Sequence, residues 1–96
     1  MSEDFSKSKW TFLSNHSHVL ICLARYSSLS LREVAAKVGI TERSVQNIVQ
    51  DLEEGGFLKR IREGRSNRYE LDLTKTLRHP LEGTATVAEL VNLSEH

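Results

Sequence analysis

The chain has 96 residues, 39% hydrophobic and 27% charged, with a formal net charge of zero. This composition is typical of one small soluble domain and excludes a disordered chain. The longest apolar run, from Val19 to Ala24, is far shorter than the roughly 20 residues of a membrane helix, and the N-terminus lacks the apolar core of a secretion signal. We therefore expect a cytoplasmic protein with no membrane segment.

A first helix is predicted to begin after a cap at Ser14 or Asn15 and to continue to about Tyr26. The apolar residues expected on its buried face are Val19, Leu20, Leu23 and Ala24. Before this helix, residues 1–9 are expected to form a flexible arm. An apolar segment follows the arm and either covers its own domain or crosses to a second subunit: Trp10, Phe12 and Leu13.

The single cysteine, Cys22, lies four residues after His18 on this helix, with His16 nearby. That spacing allows a shared metal ion, but a thiol beside Leu20 and Leu23 more commonly packs as a small hydrophobic group. No metal site and no cofactor are therefore assigned. Because the sequence also lacks a phosphate-binding glycine loop and a recognisable nucleophile with its base and acid, no enzymatic activity is expected.

Two short helices joined by a tight turn are predicted next. Ser30 and Glu33 form a capping box for a helix from Leu31 to about Val38, and Gly39 can adopt the left-handed conformation that ends it. A third helix covers residues 41–54, and two glycines follow it. The apolar stripe of this third helix is Val45, Ile48, Val49 and Leu52. Such a helix-turn-helix most often places its second helix against DNA.

The polar face of the third helix is suited to reading bases. At about 100° per residue, Gln50, Arg43 and Asn47 lie roughly 140°, 160° and 200° from Val45. Arginine can donate two hydrogen bonds to guanine, and asparagine or glutamine can pair with adenine. The same face would also suit an ordinary solvated surface. The DNA-contacting candidates on this helix are Thr41, Arg43, Ser44, Gln46, Asn47 and Gln50.

A β-hairpin is predicted after the glycines. Residues 57–62 and 68–73 are rich in strand-forming side chains, and residues 63–67 supply a turn. Between Lys59 and Arg68 there are five basic residues and one acid, so this hairpin is the basic part of a neutral chain. The phosphate-contacting candidates are Arg60, Arg62, Arg65, Asn67 and Arg68. A charged hairpin also occurs as a solvated edge that resists aggregation.

Three segments together resemble winged helix-turn-helix bacterial transcription regulators, of the MarR and ArsR groups generally. They are Val38-Gly39-Ile40-Thr41-x-Arg43-x-Val45, Leu52-Glu53-x-x-Gly56-Phe57-Leu58 and Gly64-Arg65-x-Asn67-x-Tyr69. The resemblance covers roughly residues 19–73. It implies that the helix 41–54 enters the major groove and that the wing, residues 58–72, reaches the DNA backbone or an adjacent minor groove. No ArsR-type cysteine metal box is present, and no small-molecule effector is assigned.

The last segment, residues 77–96, is predicted to form a C-terminal helix that Pro80 opens. Its apolar positions exceed one helical face, and we therefore expect it to form a dimer interface. The alternative is a helix that closes its own domain. The apolar positions are Leu81, Ala85, Val87, Ala88, Leu90, Val91 and Leu93.

The predicted fold is mostly α with a small β-hairpin: a winged helix-turn-helix with a three-helix core, a wing and a C-terminal helix. The winged helix-turn-helix domain is predicted over residues 10–76, followed by the dimerisation segment 77–96. The predicted function is sequence-specific binding of double-stranded DNA by a homodimeric transcriptional regulator. The alternative is a winged helix that serves as a protein-interaction module and binds no DNA.

Overall fold

In a computed structural model that describes residues 10–26 and 28–93, three helices precede a hairpin and a fourth helix follows it. The elements are α1 (Asn15–Arg25), α2 (Leu31–Val38), α3 (Glu42–Glu54), β1 (Leu58–Glu63), β2 (Ser66–Leu71) and α4 (Val87–Asn92). This order is that of a winged helix-turn-helix, so the predicted fold class is confirmed. The flexible arm predicted for residues 1–9 lies outside the described residues.

The first three helices begin where short polar side chains satisfy free backbone N–H groups. The Ser14 hydroxyl accepts a hydrogen bond from the Ser17 N–H, so Ser14 and not Asn15 caps α1. At α2, the Ser30 hydroxyl accepts from the Glu33 N–H at 3.2 Å, and the Glu33 carboxylate accepts from the Ser30 N–H at 2.9 Å. The helix ends at Gly39, whose φ of +88° requires glycine-like freedom. The predicted capping box and helix bounds are confirmed.

One hydrophobic core joins all four helices to the base of the hairpin. Val19, Val34, Val45, Val49 and Val87 are all 0% exposed, so each of α1 to α4 contributes a fully buried side chain. The hairpin contributes buried side chains near its base: Phe57, Leu58 and Tyr69. The predicted apolar stripe of α3 is wholly buried, and this fixes the rotation of α3 about its own axis.

The hairpin turn is shorter than predicted. The strands are antiparallel, with Leu58 opposite Leu71 and Glu63 opposite Ser66, so only Gly64 and Arg65 remain in the turn. Gly64 has a φ of +60°, and a glycine with positive φ at the first turn position makes a two-residue turn whose twist matches the strands. The prediction of a five-residue turn over residues 63–67 was therefore wrong.

The C-terminal helix also begins later than predicted. Pro80–Glu82 forms a single 3-10 turn, Gly83 takes a φ of +60° and breaks the helical path, and α4 begins only at Val87. Thr86 and Glu89 form a capping box at that start. The predicted set of apolar helix positions was wrong in part: Leu81 lies before α4 and is 91% exposed, whereas α4 buries three residues in its own domain, Val87, Leu90 and Val91.

Cys22 is buried on α1, and burial raises the pKa of its thiol above the ordinary value. A neutral thiol among apolar side chains is a packing group. The described residues hold no group of three or more His, Cys, Asp or Glu side chains arranged to hold a metal ion. None of the four helices in the described ranges is long and apolar enough to cross a membrane.

The α2 capping box should make stability depend on pH. Hydrogen bonds from the Ser30 backbone and hydroxyl lower the pKa of Glu33 in the folded protein. The ionised carboxylate therefore stabilises the fold at pH values above the pKa that Glu33 has in the unfolded chain. This stabilisation is lost as the pH falls through the lower pKa of the folded protein. In urea unfolding, Glu33→Ala should therefore cost more near pH 7 than at about pH 3. Glu42→Ala, which removes an acid without a hydrogen-bonded partner, is the control. Equal losses from Glu33→Ala at both pH values would contradict the prediction.

Candidate nucleic-acid interface

The recognition face of α3 is defined by what the opposite face buries. Val45 and Val49 are fully buried and Ile48 is 7% exposed, so the helix cannot rotate without exposing its core side chains. Four of the predicted contact residues are thereby exposed on the other side: Arg43, Gln46, Asn47 and Gln50. We call this set the reading face.

Three of these side chains are free to bind another molecule. Within the described residues, Arg43, Gln46 and Asn47 make no side-chain hydrogen bond and no ion pair. Their guanidinium and amide groups are therefore not committed to structural roles in the domain. Because they project from a helix whose position is fixed by the core, their donors and acceptors are presented on one defined face, as direct readout of base edges requires.

The wing divides its cations between two faces. Residues opposite each other in the hairpin share a face, so Arg60 lies with Tyr69, and Arg62 lies with Asn67. Lys59 and Arg68 belong to the other face, where Ile61 lies directly opposite Arg68. Arg65 occupies the turn and makes no hydrogen bond or ion pair in the described structure. The hairpin therefore presents an unpaired guanidinium at its tip.

The family comparison covers the helices that carry the reading face but little of the wing. Residues 14–59 match the winged helix-turn-helix DNA-binding family. The matched segment covers α1, α2, α3 and the beginning of β1, whereas the wing tip and α4 lie beyond it. None of the curated proteins matches this chain. The match supports DNA binding as the activity of the winged helix domain, and the family's description names no catalytic activity.

Two predicted contact residues of the winged helix domain have a structural task. The Thr41 hydroxyl accepts from the Ser44 N–H at 3.0 Å and donates to the Ser44 hydroxyl at 2.8 Å. The pair therefore forms the N-terminal cap of α3, and Ser44 is half-buried. Of the two, Ser44 keeps a hydroxyl hydrogen that it can donate outward.

The acidic end of α3 is paired within the domain. Asp51 accepts from His16 Nε2 at 2.9 Å, Glu53 lies 3.4 Å from Arg60 Nη2, and Glu54 accepts from Gln50 Nε2 at 3.0 Å. These contacts are exposed, so each adds little stability. They do give every acid in the last turns of α3 a partner, and they leave Gln50 and Arg60 less free than Arg43.

Arg68 is the most strongly paired cation of the wing. Its Nε donates to Glu63 and its Nη1 donates to Glu70, both at 3.0 Å. Hydrogen bonds to Glu63 first and then to Glu70 raise the pKa of Arg68 above its ordinary value. Two carboxylates thus offset its charge, and an exposed Lys59 on the same face has no such partner. Arg68 but not Lys59 was among the predicted contact residues, whereas strand alternation assigns both to one face.

A groove of about 680 Å³ separates the reading face from the wing. It is lined by Leu31, Gln46, Gln50, Glu53, Glu54 and Arg60. The surface between helix and wing is therefore polar. The exposed large apolar side chains of the described chain lie outside α3, β1 and β2: Trp10, Phe12, Tyr26, Leu73, Leu81 and Leu93. The charged groups that line this groove are the carboxylates of Glu53 and Glu54 and the guanidinium of Arg60.

Proposed function

We propose that this winged helix domain is a sequence-specific transcriptional regulator that binds double-stranded DNA with α3 in the major groove. The observation that carries the proposal is the exposed, unpaired set of Arg43, Gln46 and Asn47 on the reading face of a helix that the core holds in place. An arginine matches the two acceptors of guanine, and the two amides match the donor and acceptor of adenine. These three residues are assigned to base recognition.

The wing, residues 58–72, is assigned to the DNA backbone or the adjacent minor groove. Arg65 at the tip is unpaired, and Arg62 beside it donates only one hydrogen bond, from Nε to the Gly64 carbonyl at 3.1 Å. The remaining donors of these guanidinium groups can reach phosphate oxygens. Arg60, Asn67 and Arg68 are assigned supporting contacts, since Arg60 and Arg68 also hold acids of the domain.

We further propose a cytoplasmic homodimer of the general MarR and ArsR type. A small core benefits from the additional burial of an interface. Two copies related by a twofold axis would read two half-sites about one helical turn, or roughly 34 Å, apart. Each half-site would then be contacted by one reading face.

The first test measures binding of the purified protein to mixed-sequence duplex DNA. Fluorescence anisotropy of the DNA reports the affinity at each of a series of salt concentrations. Phosphate contacts release counterions, so log affinity should fall linearly with log salt concentration. A steep linear fall supports DNA as the partner and justifies selection of an operator from a random library. A folded protein that binds no duplex at low salt would overturn the proposal.

Arg65→Ala should weaken binding to every DNA sequence by the same factor. Loss of one phosphate contact should also reduce the salt slope by about 0.9. Arg78→Ala is the matched control, because Arg78 is an exposed arginine in the loop before Pro80, outside the helix-turn-helix and the wing. A loss from Arg65→Ala that varies between sequences, or an equal loss from Arg78→Ala, would remove Arg65 from this role.

A further inference from the structure

Gln50 differs from the other residues of the reading face because its side chain already holds a hydrogen bond. Its Nε2 donates to Glu54 Oε2 at 3.0 Å. Within the described part of the chain, Arg43, Gln46 and Asn47 have no such partner. Both members of the pair are exposed, and an exposed contact between residues four apart on a helix adds little stability. Its main effect is therefore on the orientation of the Gln50 amide.

The chemistry of the pair fixes which end of the Gln50 amide faces Glu54. An ionised carboxylate has only acceptors, whereas a glutamine amide has an NH2 group with two donors and a carbonyl oxygen that accepts. The NH2 group must therefore face Glu54, and the carbonyl Oε1 is directed away from it. The last torsion of a glutamine side chain has two roughly equivalent orientations when nothing holds it. The Glu54 carboxylate selects one of them.

Glu54 lies in line with the reading face. At about 100° per residue, Gln50 and Glu54 are roughly 140° and 180° from Val45, so both point away from the buried stripe of α3. Side chains of a helix lean toward its N-terminus, and the Glu54 carboxylate therefore reaches back toward Gln50. Both residues also line the groove between the reading face and the wing. The oriented amide thus belongs to the surface that the proposed function places against base edges.

We propose that Glu54 is a positioning residue that makes Gln50 select a base with an exocyclic amino group, adenine or cytosine, and reject guanine and thymine. This inference rests on the proposed function. In the major groove, adenine N6 and cytosine N4 supply the donor that Gln50 Oε1 accepts, whereas guanine O6 and thymine O4 are themselves acceptors. The NH2 hydrogen that Glu54 leaves unused can also donate to adenine N7, so adenine is the better of the two bases.

Without Glu54, the same amide would serve either class of base. A free amide turns by 180° and then offers its NH2 group to guanine O6 or thymine O4. In the presence of Glu54, that turn would bring the Gln50 carbonyl against the carboxylate, two acceptors with no hydrogen between them. Leaving a charged acceptor without its hydrogen bond is costly where DNA has displaced water. Gln46 and Asn47, which have no partner in the described structure, keep the freedom to turn.

The test uses an operator selected from a random library and duplexes that carry each of the four base pairs at every position of one half-site. Fluorescence anisotropy at one salt concentration gives the affinity of the wild-type chain for each duplex. Gln50→Ala identifies the base that Gln50 contacts, because the preference at that position disappears. There the wild-type chain should favour adenine or cytosine on one strand over guanine or thymine by at least about fivefold.

Glu54→Gln keeps the size of the side chain, but its amide can either accept from Gln50 or donate to it. The preference at the Gln50 position should therefore fall to about twofold or less, and the preferences at other positions should remain. Glu53→Gln is the matched control, because it removes the same charge from a carboxylate that pairs with Arg60 and not with Gln50. Both variants should bind every duplex more tightly through weaker repulsion of phosphates, but Glu53→Gln should leave the base preference unchanged.

Four outcomes would overturn the proposal. An equal preference in wild-type protein and Glu54→Gln would mean that Glu54 does not position Gln50. A preference for guanine or thymine at the Gln50 position, or a Gln50→Ala variant that changes no position, would exclude the contact. An amino-base preference that survives in Gln50→Ala and is lost in Glu54→Gln would mean that Glu54 itself accepts from the base.

These outcomes leave DNA binding intact, so they are distinguishable from failure of the proposed function. A folded wild-type chain that binds no duplex would overturn both the proposed function and the role of Glu54. Circular dichroism confirms that each variant is folded before its affinities are compared.

Discussion

Leu23→Ala should lower the free energy of unfolding by about 2–5 kcal/mol. Leu23 is 1% exposed on α1 and also lines the groove where α1, β2 and α4 meet. Truncation leaves a cavity that three elements border, and a small domain has few other contacts with which to compensate. Urea unfolding followed by circular dichroism should show a lower midpoint with an unchanged slope, because the loss is of stability and not of compactness.

Leu81→Ala is the control for this substitution, since it removes the same atoms from a leucine that is 91% exposed. It should change the unfolding free energy by less than about 0.5 kcal/mol. A loss comparable to that of Leu23→Ala would mean that Leu81 packs on the domain in solution, contrary to its observed exposure. A negligible effect of Leu23→Ala would contradict the observed core.

Arg43→Ala should cost about 1–3 kcal/mol of binding free energy at a selected operator and much less on mixed-sequence DNA. Arg43 has no partner in the described structure, so its loss leaves the domain's own contacts intact while it removes two donors from the reading face. Asn47→Ala, on the same face, should behave in the same way. The measurement is the ratio of affinities for operator and mixed-sequence duplex, taken at one salt concentration.

Arg65→Ala is the comparison for this experiment, because it removes the same guanidinium from the wing tip. It should lower both affinities equally and leave their ratio unchanged. If Arg43→Ala also leaves the ratio unchanged, Arg43 contacts phosphate and does not read a base. If neither variant affects affinity, α3 does not face the duplex.

Local sequence signals were sufficient for the first three helices. Ser30, Glu33 and Gly39 act within one or two turns of chain, so their capping and helix-ending roles follow from the order of residues. The apolar stripe of α3 likewise determines which residues face outward, and the exposure of Arg43 and Asn47 agrees with it. For this reason the fold class and the composition of the reading face were predictable.

The hairpin and the C-terminal segment required knowledge of contacts between distant residues. Arg68 is held by Glu70, which lay outside the basic stretch, and strand register decides which cations share a face. The C-terminal segment contains two competing signals for the start of a helix. One is Pro80, and the other is the capping box of Thr86 and Glu89. The second one prevails where Val87 becomes fully buried.

The sequence by itself determined the first three helices, their caps and the polar character of the reading face, because each depends on residues a few positions apart. Only the tertiary structure decided where α4 begins and which wing cations are paired. Those features depend on burial against a common core and on side chains brought together from distant parts of the chain. The interactions that stabilise these features form only when the chain has folded.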